Sequence, residues 1–204
     1  MRNFLFLIVI FMFVSCQNKK AEDEFALSIT KDINEIIETI IYSDSLPVLK
    51  YSSDSISLCT ELNKIEIKIA KYPKPGELVN IESDWENKVY IQNLLFVDID
   101  KKRFFTKKDS LFLLSQNNIL KRFEIDKSLY SKLKTITFEE IKLSKKLRKL
   151  KYYDISIPIF SLDNTNAYVE LNYHYLRFGS ARAIYLQKIK GKWKVIQHRR
   201  TWIT

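Results

Sequence analysis

The side chains able to do acid–base or ligand-binding chemistry are few and lie late in the chain. There are only two histidines, His174 and His198. An imidazole titrates close to neutrality, so it serves as general acid, general base or anion partner. Within Ala167–Leu176, the even positions Tyr168, Glu170, Asn172 and His174 alternate with apolar odd ones, the period of a strand with two unlike faces. In the last strand-like run, Lys194, Ile196, His198, Arg200 and Trp202 share one parity. If the two polar faces adjoin, Glu170, His174, His198 and Arg200 form one groove that binds an anion or supports acid–base work. The competing expectation is a solvated outer sheet face. A single bulge in either strand would shift the period by one and separate the four residues.

Other chemistry is thinly represented. No HExxH, no CxxC and no cluster with metal-ligand spacing occurs, so neither a metal nor a cofactor is expected. Three glycines leave no phosphate-cradling loop, and no G-x-S-x-G elbow marks a nucleophilic serine. Cys59 lies in the alternating segment SISLC and reads as a small buried apolar residue rather than a reactive thiol. An enzyme is therefore not the favoured expectation. A hydrolase dependent on His174 or His198 stands as the weaker alternative.

The elements that must position these residues are predicted from periodicity. Phe25–Tyr42 carries apolar residues at 25, 29, 33, 36, 37, 40 and 41, the spacing of an amphipathic helix ended by Ser43-Asp44-Ser45-Leu46-Pro47. Ser55–Cys59 and Lys64–Lys71 alternate as strands, and Tyr72–Gly76 is a break. Val89–Ile99 fits either a strand or a helix. A helix is expected over 107–116, with short helices opening near Asp126 and Thr137. Four strand-like runs follow: Asp154–Ser161, Ala167–Leu176, Ala181–Ile189 and Trp193–Ile203. Their short separators predict an antiparallel four-stranded meander. Trp193 and Trp202 fall on opposite faces of the last run, which leaves one of them to cover the N-terminal helix. The fold class expected is α+β, with the N-terminal helix and short middle helices packed on the C-terminal sheet.

The N-terminus supplies an address. Arg2 precedes an unbroken apolar run, Phe4–Val14, too short for a spanning helix of about 20 residues. Phe13-Val14-Ser15-Cys16 then resembles the lipobox of bacterial lipoproteins, with Phe13 at the aliphatic position. The resemblance implies cleavage before Cys16, a lipid on its thiol, and a protein anchored to a membrane rather than spanning it. Gln17, in place of the aspartate that retains enterobacterial lipoproteins, implies the outer membrane. The organisation expected is a signal peptide over 1–15, a lipidated tether over 16–24 and one α+β domain over 25–204.

Charge is unevenly spread. Residues 1–100 carry a net −6, 101–152 a net +11 and 153–204 a net +5. The 26 lysines and 26 isoleucines fit an AT-rich coding bias, and an envelope address leaves no nucleic-acid partner expected.

The C-terminal half has a second resemblance. Ser156-Ile157-Pro158-Ile159-Phe160-Ser161, Gly191-Lys192-Trp193-Lys194-Val195 and Trp202-Ile203 are similar to motifs of uncharacterised lipoproteins of Bacteroidota. Asp109 and Gln116 match the Asp and Gln of an upstream helix in that group. A Gly-Lys-Trp ending also occurs in cone-shaped NTF2-like domains. These likenesses imply a fold and no activity. The expected role is a lipid-anchored envelope protein that binds an envelope partner or a small ligand.

Overall fold

The computed structural model describes residues 28–51, 56–70, 87–118, 122–144, 150–175 and 178–203. The fold is mixed α+β, with a seven-stranded sheet at its centre. Helix α1 covers 28–43. Its isoleucine stripe, Ile33, Ile36, Ile37, Ile40 and Ile41, is at most 3% exposed. Isoleucine is a middling helix former, so burial of this stripe, about 1.5–3 kcal/mol per side chain, holds the helix rather than propensity. The helix ends in a Schellman turn: the Leu46 N–H donates to the Ile41 carbonyl at 3.0 Å and the Ser45 N–H to that of Tyr42 at 3.3 Å. Ser45 takes the left-handed conformation there, φ 48°, and Leu46 folds back into the core.

The strands in chain order are β1 (Ser57–Cys59), β2 (Glu61–Leu62), β3 (Glu66–Lys68), β4 (Lys88–Tyr90), β5 (Asp98–Ile99), β6 (Lys102–Arg103), β7 (Phe123–Glu124), β8 (Thr135–Ile136), β9 (Lys151–Ile155), β10 (Ile159–Phe160), β11 (Asn166–Tyr175), β12 (Phe178–Ile189) and β13 (Lys192–Ile203). Between them lie α2 (Ile91–Leu95), α3 (Ser110–Ser115), α4 (Lys127–Tyr130) and α5 (Phe138–Ser144). The large sheet runs β13-β12-β11-β9-β1-β8, with β10 on the same edge of β11 as β9. The β9, β11, β12 and β13 pairings are antiparallel, as the meander expectation requires. Lys190 and Gly191 form the last hairpin with φ of 51° and 77°, the left-handed pair that matches strand twist in a two-residue turn.

Both faces of this sheet are covered. On one, the α1 stripe packs against Val169, Leu171, Ile184, Leu186 and Trp193. On the other, Ile65, Ile67, Val89, Leu94, Phe104 and Phe105 pack on Tyr168, Ala183 and Tyr185. The even face of β11 is thus no solvated outer face: Glu170 and Asn172 are each 8% exposed.

The structure departs from the sequence reading in five places. The run expected over 154–161 starts at Lys151 and breaks at Ser156–Pro158 into β9 and β10, because proline cannot donate to the ladder. Strand β12 begins at Phe178 rather than Ala181. Val89–Ile99 is neither element alone but the end of β4, then α2, then β5. The 107–116 helix opens as one 3-10 turn, Lys107–Asp109, before α3. The sheet also gains two strands the meander lacks, since β1 lies parallel between β9 and β8. The break at 72–76 lies outside the described residues.

Candidate functional site

The four residues expected to share a groove are divided by the sheet. In register, Leu171 faces Arg182 and Asn172 faces Ala181, so even residues of β11 lie on the face of odd residues of β12. Along β13, Val195 pairs with Leu186 but Gln197 pairs with Tyr185, and the ladder skips Ile196. A second shift skips Thr201, between Arg200 opposite Arg182 and Trp202 opposite Ala181. The first bulge turns His198 and Arg200 onto the α1 face, away from Lys194 and Ile196, and the second returns Trp202 to the opposite face. Glu170 and His174 therefore lie on one side of the sheet and His198 and Arg200 on the other. The two shifts cancel for the tryptophans: Trp193 faces α1 and Trp202 does not.

Asp154 organises the face that carries Glu170 and His174. Its side chain is 4% exposed and lies 2.5 Å from His174 Nε2. It also accepts from Asn63 Nδ2 at 2.6 Å and Asn172 Nδ2 at 2.8 Å. Tyr152 stacks on the His174 ring at 4.6 Å. Glu170 accepts from the Tyr168 hydroxyl at 2.5 Å. Burial, which outweighs that bond, pushes the Glu170 carboxyl above its ordinary value, and the Asp154 charge adds to the rise. An oriented imidazole and a carboxyl whose pKa is raised are acid–base parts, yet the nearby thiol is no nucleophile. Cys59 is fully buried, and burial pushes its thiol far up. Asp154 and Asn63 escaped the sequence reading because their convergence on Asn172 and His174 depends on the β9–β11 pairing and the Asn63–Ser156 bridge.

On the α1 face, a cleft of about 340 Å³ lies past the end of the helix, lined by Tyr153, Tyr173, Ser180, Arg182, His198 and Arg200 among others. Asp44, 3% exposed, sits at the negative end of the α1 dipole, where a carboxylate is poorly placed. Arg182 at 2.7 Å and His198 at 3.3 Å compensate it.

A third feature has no counterpart in the sequence reading. A cavity of about 250 Å³ lies near the start of α1, walled by Ile29, Ile65, Ile67, Phe112, Ile157 and Phe160 among others. Two consecutive amides after α3 hold its walls in place. Gln116 accepts from the Phe160 N–H and donates to the Phe160 carbonyl, both at 2.9 Å. Asn117 does the same for Ile67, also at 2.9 Å both ways. Asp109 accepts from the Leu162 N–H at 2.9 Å and from the Thr106 N–H at 2.6 Å. The Asp109–Gln116 pair and the Pro-Ile-Phe-Ser segment, noted separately in the sequence, are thus in direct contact. Lys64, also in the wall, donates to the Asn117 carbonyl.

Among the described residues no group of three or more His, Cys, Asp or Glu side chains is arranged to hold a metal ion. No described helix is long and apolar enough to cross a membrane. Cys16 and the Phe4–Val14 run lie outside the described residues. No family model matches the chain, and neither a curated protein nor a solved structure shows significant similarity to it.

Proposed function

We propose that this chain is a lipid-anchored envelope protein, tethered through Cys16 and directed to the outer membrane, that binds a small apolar ligand without transforming it. The observation that carries the binding reading is the cavity beside α1. Its volume, about 250 Å³, exceeds the ~150 Å³ that admits benzene and approaches the ~300 Å³ at which ordinary ligand pockets begin. The fit is to a single ring or a short acyl chain. Leu162, a lining residue 58% exposed, marks where the cavity reaches solvent. Lys64 gives an incoming carboxylate a cation to meet.

The finer fold reading, a cone-shaped NTF2-like sheet, belongs to the same proposal. Its support is the antiparallel run from β9 to β13, bent by two bulges, with α1 across one face. The acid–base parts around Asp154 support the hydrolase alternative less well, since Cys59, the thiol beside them, is sealed in the core.

Two arms test the proposal on the full chain. For the anchor, Cys16→Ser is expected to move the protein from the detergent phase to the aqueous phase; unchanged partitioning contradicts the tether. For the pocket, octanoate is titrated by calorimetry into wild type and into Ile67→Phe, whose ring projects from a residue lining the cavity. The variant is expected to bind at least about tenfold more weakly, a loss of ~1.4 kcal/mol, at a temperature where circular dichroism shows both proteins fully folded. Equal binding by both proteins removes the cavity from the account.

A further inference from the structure

We propose that the cleft at the far end of α1 is an anion site that takes a phosphate group, with Arg200 as the residue held in reserve for it. The cleft and the apolar cavity are separate. One adjoins Asp44 and the other Ile29, so a helix of that span sets them roughly 20 Å apart.

Arg182 and Arg200 are directly opposed across β12 and β13 and point to the same face. Like charges in that relation destabilise a sheet unless something anionic lies between or beside them. Asp44 is one carboxylate, and it is already engaged by Arg182 at 2.7 Å and His198 at 3.3 Å. Arg200 has no ion pair or hydrogen bond among the described residues, yet it lines the cleft. Two guanidinium groups thus share one internal counter-charge.

The neighbouring donors specify the anion. Tyr153, Tyr173 and Ser180 bring three hydroxyls to the same cleft. Burial first, and then the adjacent Tyr173, raise the Tyr153 phenol, so its proton stays available for donation. With the forks of two arginines, these donors exceed the ~4 lone-pair sites of a carboxylate and suit the three terminal oxygens of a phosphate ester. Arginine is also the side chain best shaped to grip phosphate in two-point fashion. The tilted rings of Tyr153 and Tyr173, 5.1 Å apart, offer an aromatic wall to whatever carries the phosphate. The carrier is either a soluble phosphorylated compound or the headgroup of an anionic lipid, and the chemistry of recognition is the same.

The test uses the full chain carrying Cys16→Ser, so that no lipid anchor contributes to vesicle binding, with Arg200→Gln as the variant and Arg103→Gln as a control remote from the cleft. Inorganic pyrophosphate is titrated by calorimetry, and sedimentation is measured with vesicles of phosphatidylglycerol and of phosphatidylcholine. Loss of a charge-assisted contact is expected to weaken binding by roughly tenfold or more in Arg200→Gln and to leave Arg103→Gln unchanged. Arg200-dependent binding of pyrophosphate in solution supports the site with a soluble ligand. Dependence seen only on phosphatidylglycerol vesicles, and not on phosphatidylcholine, supports it with a headgroup. Binding that is absent in both assays, or equal in wild type and Arg200→Gln, overturns the proposal.

Discussion

Replacement of Asp154 by alanine is expected to lower the melting temperature by roughly 10 °C. The carboxylate is almost fully buried and serves three donors at once: His174 at 2.5 Å, Asn63 at 2.6 Å and Asn172 at 2.8 Å. Alanine leaves two amides and an imidazole without their acceptor in a site water cannot reach freely. Unpaired buried polar groups cost about 1–3 kcal/mol each, and removing one partner of a buried charge network costs ~3–5 kcal/mol. At ~2–4 °C per kcal/mol for a chain of this size, the drop follows. Asp154→Asn keeps an acceptor oxygen and is expected to lose about half as much. Thermal unfolding followed by circular dichroism measures both. A shift under 2 °C for the alanine variant would mean that the three donors find other partners, and the hub assignment fails. The same experiment bears on the enzyme alternative, because a cluster that carries stability is a reason for those residues that needs no substrate.

The second large effect is expected at Asp32, and it depends on pH. This residue of α1 accepts from Trp193 Nε1 at 3.0 Å, Lys188 Nζ at 2.6 Å and Asn164 Nδ2 at 2.6 Å. One carboxylate thus ties the helix to β12, to β13 and to the loop before β11. Burial alone would raise its pKa, but the bonds from Lys188, Trp193 and Asn164 together outweigh burial and hold it below the ordinary carboxylate value. A depressed folded-state pKa means the native state releases this proton more readily than the unfolded chain. Its stabilisation is therefore present above the unfolded value of about 4 and is lost as pH falls through the folded value. Asp32→Ala is expected to cost about 3 kcal/mol at pH 7, and the gap to wild type should narrow steadily below pH 4. Urea unfolding of both proteins at pH 7, 4 and 2.5 reads this directly. A gap that stays constant across the three conditions shows that the ionised form of Asp32 contributes nothing.

Much of the local structure was legible from residue order. The isoleucines of α1 recur at helical spacing because a helix buried on one side allows nothing else. Asp126 caps α4 by accepting from the Ser128 N–H at 2.7 Å, as a side chain with a short acceptor ahead of an apolar turn should. The short separator before Trp193 predicted the last hairpin, and in the structure Gly191 takes the left-handed second position of its turn. The burial of Cys59 followed from its place in an alternating segment. The packing of α1 on the C-terminal sheet, with one tryptophan of the last strand against it, was also foreseen; what failed were strand pairings and side-chain convergences between segments distant in sequence. Strand β1 inserts in parallel between β9 and β8, pairings across 95 and 77 residues of chain that leave no local mark. The cavity likewise depends on Gln116 and Asn117, which look like an ordinary polar stretch until their amides are seen to clasp Phe160 and Ile67.

The groove expected from parity shows where that boundary falls. Sequence by itself determined that β11 has two unlike faces and that His198 and Arg200 share a face, because two-residue steps within one unbroken stretch of strand are fixed by the pleat. It also determined the class of chemistry on offer: imidazole, carboxyl and guanidinium groups on a β-rich C-terminal half. Tertiary structure alone decided that the two histidines lie on opposite sides of the sheet. The reason is that one extra residue at Ile196, and another at Thr201, can be absorbed only where β13 must twist to follow β12. A bulge is a property of two paired strands, and one strand's residues do not record it.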